Sequence, residues 1–294
     1  MDESGVLDVR PACSASTIVV RDVWASNLDE EFRTIIQLVP RYNHVAMDAE
    51  FPGVVARPIG EFRDQADYRY QTLRCNVELL KIIQLGLSFF DEAGRTPPGR
   101  CCSWQFNFKF SLVEDMYAKD FVEHLTDAGT QFERLEREGI EPCDFAQLLI
   151  TSGAVLSEEV RWLTFHSGYD FGYLLRLLTN QDLPSEESEF SELLGVYFPV
   201  IYDVKYLTGR CESEQLRLVT SQLELQRRKP QRQAGRQSLL TGAAFFKLRD
   251  AFFRDGIDEE ACRRRLYGLR GSCSDEASSG ADDDCGVVSD NGDG

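Results

Sequence analysis

Asp48 and Glu50 interrupt a stretch, HVAMDAEFPG (44–53), that Val45, Ala46, Met47, Ala49 and Phe51 would otherwise make a buried strand. Residues two apart on an extended strand share one face, so the two carboxylates stand side by side. Burying two such charges without counter-charge is costly, and a cation is the simplest remedy. Hard divalent cations take carboxylate oxygens. Two of them about 3.5–4 Å apart cleave phosphodiesters, one generating hydroxide and the other stabilising the leaving oxygen. Such a pair needs acids from more than one element. Asp170, following WLTFHSGY at the mouth of a helix, is the third candidate, placed at a strand end where α/β sheets gather their sites.

Each residue has a plainer reading. Asp48 and Glu50 would suit a solvated edge strand, and Asp170 a capping or dipole-compensating role in a first helical turn. Asp203, in VIYDVKYL, is a fourth candidate whose alternatives are a pair with Lys205 or a backbone contact. His44 and His166 read as core or loop histidines. The RRK (227–229) and RRR (263–265) clusters read as solvated helix faces, with phosphate contact as the alternative.

These side chains need a scaffold, and periodicity supplies one. Strands are predicted over 17–24, over the HVAMDAEF stretch, over 82–90 and over 104–110, the last two forming a hairpin beside the acidic strand. In WQFNFKF, Trp104, Phe106, Phe108 and Phe110 take one face and Gln105, Asn107 and Lys109 the other. Further strands are expected over 160–167 and 197–207. Helices are expected over 26–42, 114–129, 130–139, 144–153, 169–180, 213–228 and 238–256. Strands that alternate with helices argue for an α/β fold, a mixed central sheet with helices on both faces.

The chain has 294 residues, 43% of them hydrophobic, enough for one large domain. Its longest apolar stretch, 79–90, contains Lys81 and is too short to span a bilayer, so a soluble, intracellular protein is expected. Nine scattered cysteines without a CxxC pair suit reduced thiols and give no zinc signature. A net charge of −17 excludes nucleic-acid binding through bulk basicity but leaves room for a cleft-type nuclease. Part of that charge lies in 271–294, with seven acids and no Lys or Arg, which reads as a disordered acidic tail; 1–16 reads as a disordered arm, leaving one domain over 17–270.

MDAEFPGVVARPIGEF (47–62), LLKIIQLGLSFF (79–90), WQFNFKFSLVEDMY (104–117), WLTFHSGYDFGYL (162–174), YFPVIYDVKYL (197–207) and LLTGAAFFKL (239–248) closely resemble the carbon catabolite repressor four associated factor one family. The resemblance runs from about Val23 to Leu269. It implies an RNase H-like fold of the DEDD exonuclease type, a deadenylase subunit of the Ccr-Not complex that shortens messenger RNA poly(A) tails from the 3′ end, and two Mg2+ or Mn2+ ions. It further implies the poly(A) tail, the scaffold and the partner nuclease as partners, and cytoplasm and nucleus as location. By position, the family's first three metal acids fall on Asp48, Glu50 and Asp170, whereas Asp203 and His166 are not used. The family's general-base His and fourth Asp fall on Arg232 and Gln237, between matching anchors Gln233-Ala234-Gly235 and Ser238-Leu239-Leu240. An amide carbonyl offers a cation no charge, and a guanidinium cannot act as base, so the resemblance implies either a weakened enzyme or a pseudo-deadenylase that serves as a binding subunit.

Overall fold

The computed structural model describes residues 19–99, 101–209, 221, 233–253, 256–258 and 265–269. The arm 1–16, the 213–228 helix apart from residue 221, the RRK cluster, Arg263 and Arg264, Arg232 and the tail from 271 lie outside the described residues.

Six strands form one mixed sheet: β1 (Val19–Val23), β2 (His44–Glu50), β3 (Gln84–Phe90), β4 (Cys101–Asn107), β5 (Arg161–Thr164) and β6 (Val200–Asp203), in the order β1-β4-β3-β2-β5-β6. β3 runs antiparallel to β2 and β4, and the remaining neighbours are parallel. All strands except β3 therefore end at the same edge of the sheet. Around it lie α1 (Leu28–Leu38), α2 (Gln65–Leu79), α3 (Lys119–Asp127), α4 (Phe132–Glu138), α5 (Pro142–Thr151), α6 (Gly168–Thr179), α7 (Glu187–Tyr197), α8 (Val204–Gly209) and α9 (Ala234–Phe252). No helix among the described residues is long and apolar enough to cross a membrane.

The two faces of the sheet differ in chemistry. Val45, Met47 and Ala49 of β2, Leu85, Leu87 and Phe89 of β3, and Trp104 and Phe106 of β4 point into the main core, against Phe32 of α1, Phe145 of α5, Leu174 of α6 and Val77 of α2. The opposite face begins apolar, with Ala46, Phe90 and Leu163 packed on Phe245 and Phe246 of α9. Toward the strand ends it turns polar: Asp48, Glu50, Gln84, Ser88, Ser103, Gln105 and Asn107 are all buried there. The alternation of β4 was expected to separate core from a second face. That second face is buried too, because α9 covers it.

α9 approaches closely. A Cβ at Gly86 would collide with the Ala234 carbonyl, and one at Gly242 with the Phe90 ring. Ser238 Oγ lies 2.8 Å from Ser88 Oγ, and Ser103 Oγ donates to Gly235 O at 2.6 Å. Gly86→Ala should therefore cost roughly 3 kcal/mol, the upper end of overpacking penalties, because helix backbone cannot move aside as a side-chain tip can. Urea unfolding of the variant checks this; an unchanged midpoint would mean that α9 is not seated on Gly86.

Several boundaries moved for identifiable reasons. The 197–207 strand stops at Asp203, and Tyr197 closes α7. The 114–129 helix begins only at Lys119, since Asp115 is occupied closing a turn, its Oδ2 accepting from Ser111 N at 2.8 Å. The 104–110 strand stops at Asn107, after which Phe108 makes only an isolated bridge with Ile140. α9 starts four residues earlier than expected, at Ala234. α2 and α7 were not anticipated.

Candidate metal-dependent active site

The site is built where β2 and β5 end. β2 is central, with β3 on one side and β5 on the other, so Asp48 and Glu50 occupy no edge strand. They share the α9-facing side, Asp48 opposite Gly86 and Glu50 opposite Gln84. Asp48 is 3% exposed and Glu50 6%. Gln84 Nε2 donates to Asn107 Oδ1 at 2.7 Å, and Asn107 Nδ2 to Asp22 Oδ1 at 3.3 Å, so a polar ladder crosses three strands, β3, β4 and β1, beside Glu50.

Asp170 arrives from the neighbouring element. β5 pairs with β2 up to Leu163 beside Ala46, the chain turns through His166 in a left-handed conformation (φ 55°), and α6 opens with Asp170 buried in its first turn. Ser167 Oγ donates to Thr164 Oγ1 at 2.7 Å. Tyr169 and Tyr173, flanking Asp170 on α6, stack against Phe51, the residue after Glu50, at ring separations of 5.0 and 5.3 Å. Burial drives the Tyr173 phenol well above its ordinary pKa.

Asp203 does a different job. Its carboxylate accepts from the backbone N–H of His166 (2.9 Å), Ser167 (3.5 Å), Lys205 (3.0 Å), Tyr206 (3.4 Å) and Tyr267 (3.1 Å). Of its sequence readings the backbone contact is the one observed: Asp203 ties the β5–α6 turn, the start of α8 and the 265–269 turn together. Lys205 Nζ sits instead over the Tyr267 ring, 4.5 Å from its centroid and 3.4 Å from His166 Nδ1. His44 lies at the far end of β2, its Nδ1 3.0 Å from Asn43 Oδ1 and its ring 5.3 Å from Phe246, a core histidine as read. His166 is exposed on its turn, as read for a loop histidine.

Gln237 is buried on α9, over the same sheet face as the β2 acids. The Oε1 atoms of Glu50 and Gln237 are buried and receive no hydrogen bond, though both residues have other interactions. Among the described residues, no three His, Cys, Asp or Glu side chains close into a cation shell by themselves. Among the described residues, the donors of Asp48, Glu50, Asp170 and Gln237 are carboxylate and amide oxygens, the type that Mg2+ and Mn2+ take. The donor set thus fits hard divalent ions. Sequence reasoning missed the buried polar ladder of Gln84, Gln105 and Asn107; Gly86, placed in the middle of an apolar strand, was the available sign that backbone would approach there.

Residues 23–148 and 150–252 match the model of the CAF1 family ribonuclease. The chain belongs to that family. It is 50% identical over 252 residues to the Schizosaccharomyces pombe poly(A) ribonuclease pop2, covering 85% of this chain and 75% of the relative. It is 44% identical to the Caenorhabditis elegans CCR4-NOT transcription complex subunit 7, covering 91% of this chain and 88% of the relative. The S. pombe Pop2p structure, a Mg2+- and Mn2+-bound form, superposes with a TM-score of 0.79 at 50% identity, over 85% of this chain and 99% of that one. A structure of the yeast NOT1 MIF4G domain co-crystallised with CAF1 gives 0.71 at 33% identity, over 86% and 98%. The six-stranded sheet with helices on both faces is the RNase H-like architecture expected, and CAF1 membership accounts for it.

Proposed function

We propose that this CAF1 family chain is a poly(A)-specific 3′-to-5′ exoribonuclease of the Ccr-Not complex, acting in cytoplasm and nucleus and held back by what stands at positions 232 and 237. The observation that carries the reading is the burial of Asp48 and Glu50 on one face of the central strand, with Asp170 at the adjoining helix start. These three carboxylates would hold two Mg2+ or Mn2+ ions. When bound, such ions supply hydroxide at neutral pH and charge stabilisation for the leaving oxygen.

The chain's own residues fix everything else. β2 holds Asp48 and Glu50 in one register, Asp203 holds the β5–α6 turn that precedes Asp170, and Phe51 stacks on Tyr169 and Tyr173 beside it. Gln237 offers an oxygen without charge where the family pattern has Asp, and Arg232 cannot accept a proton where the pattern has His. The domain over 17–270 would carry this activity, with arm and tail dispensable. The name of the C. elegans relative, a CCR4-NOT transcription complex subunit, and the yeast NOT1 MIF4G domain co-crystallised with CAF1 support docking within that complex.

A second reading rests on Arg232 and Gln237: a binding subunit of the complex that cleaves nothing. Incubating the protein with a 3′ A-tailed RNA and Mg2+ or Mn2+ separates the two. Stepwise shortening from the 3′ end is expected, about 10²–10⁴-fold slower than with an intact general base. No shortening by a folded protein at any Mn2+ concentration would leave the binding-subunit reading.

A further inference from the structure

Gln84 opens β3 at the edge of the sheet where β2 ends, directly opposite Glu50 in the antiparallel register. Opposed residues on one face stand with their Cβ atoms about 4.5–5.5 Å apart, so the two side chains are neighbours. Gln84 is 3% exposed, and its Oε1 has no hydrogen-bond partner within the chain. A buried amide oxygen left without a donor is costly. In native folds such atoms are rare, and a water or ion is one of the few things that answers them.

The amide is not free to turn round. Asn107, itself 1% exposed, commits Nδ2 to Asp22 Oδ1 (3.3 Å), Val23 O (3.1 Å) and Gln105 O (3.2 Å), a carboxylate and two backbone carbonyls, which accept and do not donate. Its Oδ1 is therefore left to accept, and Gln84 Nε2 fills it at 2.7 Å. Gln105 Nε2 donates to the same Asp22 Oδ1 at 3.0 Å and fastens the start of the relay. Because β3 lies between β4 and β2, an amide whose nitrogen faces Asn107 on β4 turns its oxygen to the β2 side, where Glu50 stands. The direction in which Gln84 points is thus set two residues away, at Asp22.

We propose that Gln84 is a positioning residue of the cation site, its Oε1 accepting a hydrogen bond from a water in the shell of a divalent ion held by Glu50; the inference rests on the metal-dependent reading above. Water on a divalent ion turns its hydrogens outward, so the shell offers donors alone, and Mg2+ in particular keeps several of its waters. Against such a shell an amide nitrogen would be the wrong end, and the relay from Asp22 keeps that end on Asn107. An oxygen without charge orients the water while leaving the charge balance to Asp48, Glu50 and Asp170. Outer groups of this kind steady what the direct ligands hold.

The test melts the full chain across a series of MnCl2 concentrations, without RNA, for the parent, Gln84→Leu and Gln84→Glu, with Asp48→Ala supplying the response that arises elsewhere on this acidic chain. Both changes at position 84 break the bond to Asn107, since neither side chain has an N–H to give, but only Gln84→Glu keeps an oxygen toward Glu50. Gln84→Leu is expected to need roughly 10–100-fold more Mn2+ than the parent for the same rise in melting temperature, and Gln84→Glu no more than the parent. Identical Mn2+ curves for parent and Gln84→Leu would overturn the proposal. So would a Gln84→Glu that falls with Gln84→Leu, which would trace the loss to Asn107 and not to the oxygen. Unchanged Mn2+ curves with weaker binding of an oligo(A) in EDTA would likewise overturn it, handing the oxygen to a hydroxyl of the RNA. A Gln84-dependent Mn2+ response in a protein that shortens no A-tailed RNA upholds the proposal and removes the exonuclease reading; shortening with Mn2+ curves alike in parent and Gln84→Leu does the reverse, and a parent whose melting ignores Mn2+ removes both.

Discussion

Asp48→Ala is expected to abolish Mn2+-dependent shortening of an A-tailed RNA while leaving the metal-free protein as stable as its parent or slightly more so. The two halves of this expectation have separate causes. Asp48 is buried in the middle of the central strand with Glu50 on the same face, so removing one carboxylate relieves both a like-charge repulsion and a desolvation cost. Alanine is already tolerated in β2 at positions 46 and 49, both buried. If the pair instead served the fold, through hydrogen bonds to neighbouring elements, the same change would lower the melting temperature. Linkage supplies a readout independent of catalysis: a cation at about 100 times its Kd stabilises the folded state by about 2.7 kcal/mol. Thermal melts with and without Mn2+ should show a clear upward shift in the parent and a smaller one in the variant. Equal shifts in both would remove Asp48 from the site.

The sheet was legible where each residue's chemistry and its period agreed. β2 showed its acids against an apolar run, and the β3–β4 hairpin showed alternation. What escaped was hidden by burial of polar groups. α2 presents no clean apolar stripe, since Asp67 and Asn76 are buried on it alongside Tyr70, Leu73 and Val77; Asp67 is engaged by Arg63 and Asn76 by the loop it anchors. A period of two on β4 separates apolar from polar but does not say whether the polar side meets water or a helix. Asp203 was readable as an acid in a strand, and only the fold reveals that five backbone N–H groups from three segments converge on it. Its carboxylate draws in the amides of Lys205 and Tyr206, which is why the predicted strand breaks there into α8. Asp48, Glu50 and Asp170 were singled out as candidates by type and spacing, while the buried groups around them were not.

Restoring both departed positions should raise activity more than any other pair of changes. Gln237→Asp places a carboxylate on α9 at a buried position above the β2 acids, where its charge would be held by bound cations and would be unfavourable without them. The single variant should therefore be less stable than the parent in EDTA and regain that loss in Mn2+, a signature that a surface substitution would not give. Arg232→His removes a permanent positive charge and supplies a group that accepts a proton near neutral pH, so its activity should fall off below about pH 6.5, the ordinary range of histidine, where the parent has no such limb. One change acts on metal occupancy and the other on activation of water, yet both serve a single reaction. Their effects should be non-additive, the double variant exceeding either single one and gaining up to about 10²–10⁴-fold over the parent, the usual worth of a general base. Rates of A-tail shortening at saturating Mn2+ for the parent, both singles and the double decide it. A parent that already cleaves as fast as the double variant would show that Arg232 and Gln237 are no handicap, and the binding-subunit reading would lose the residues on which it stands.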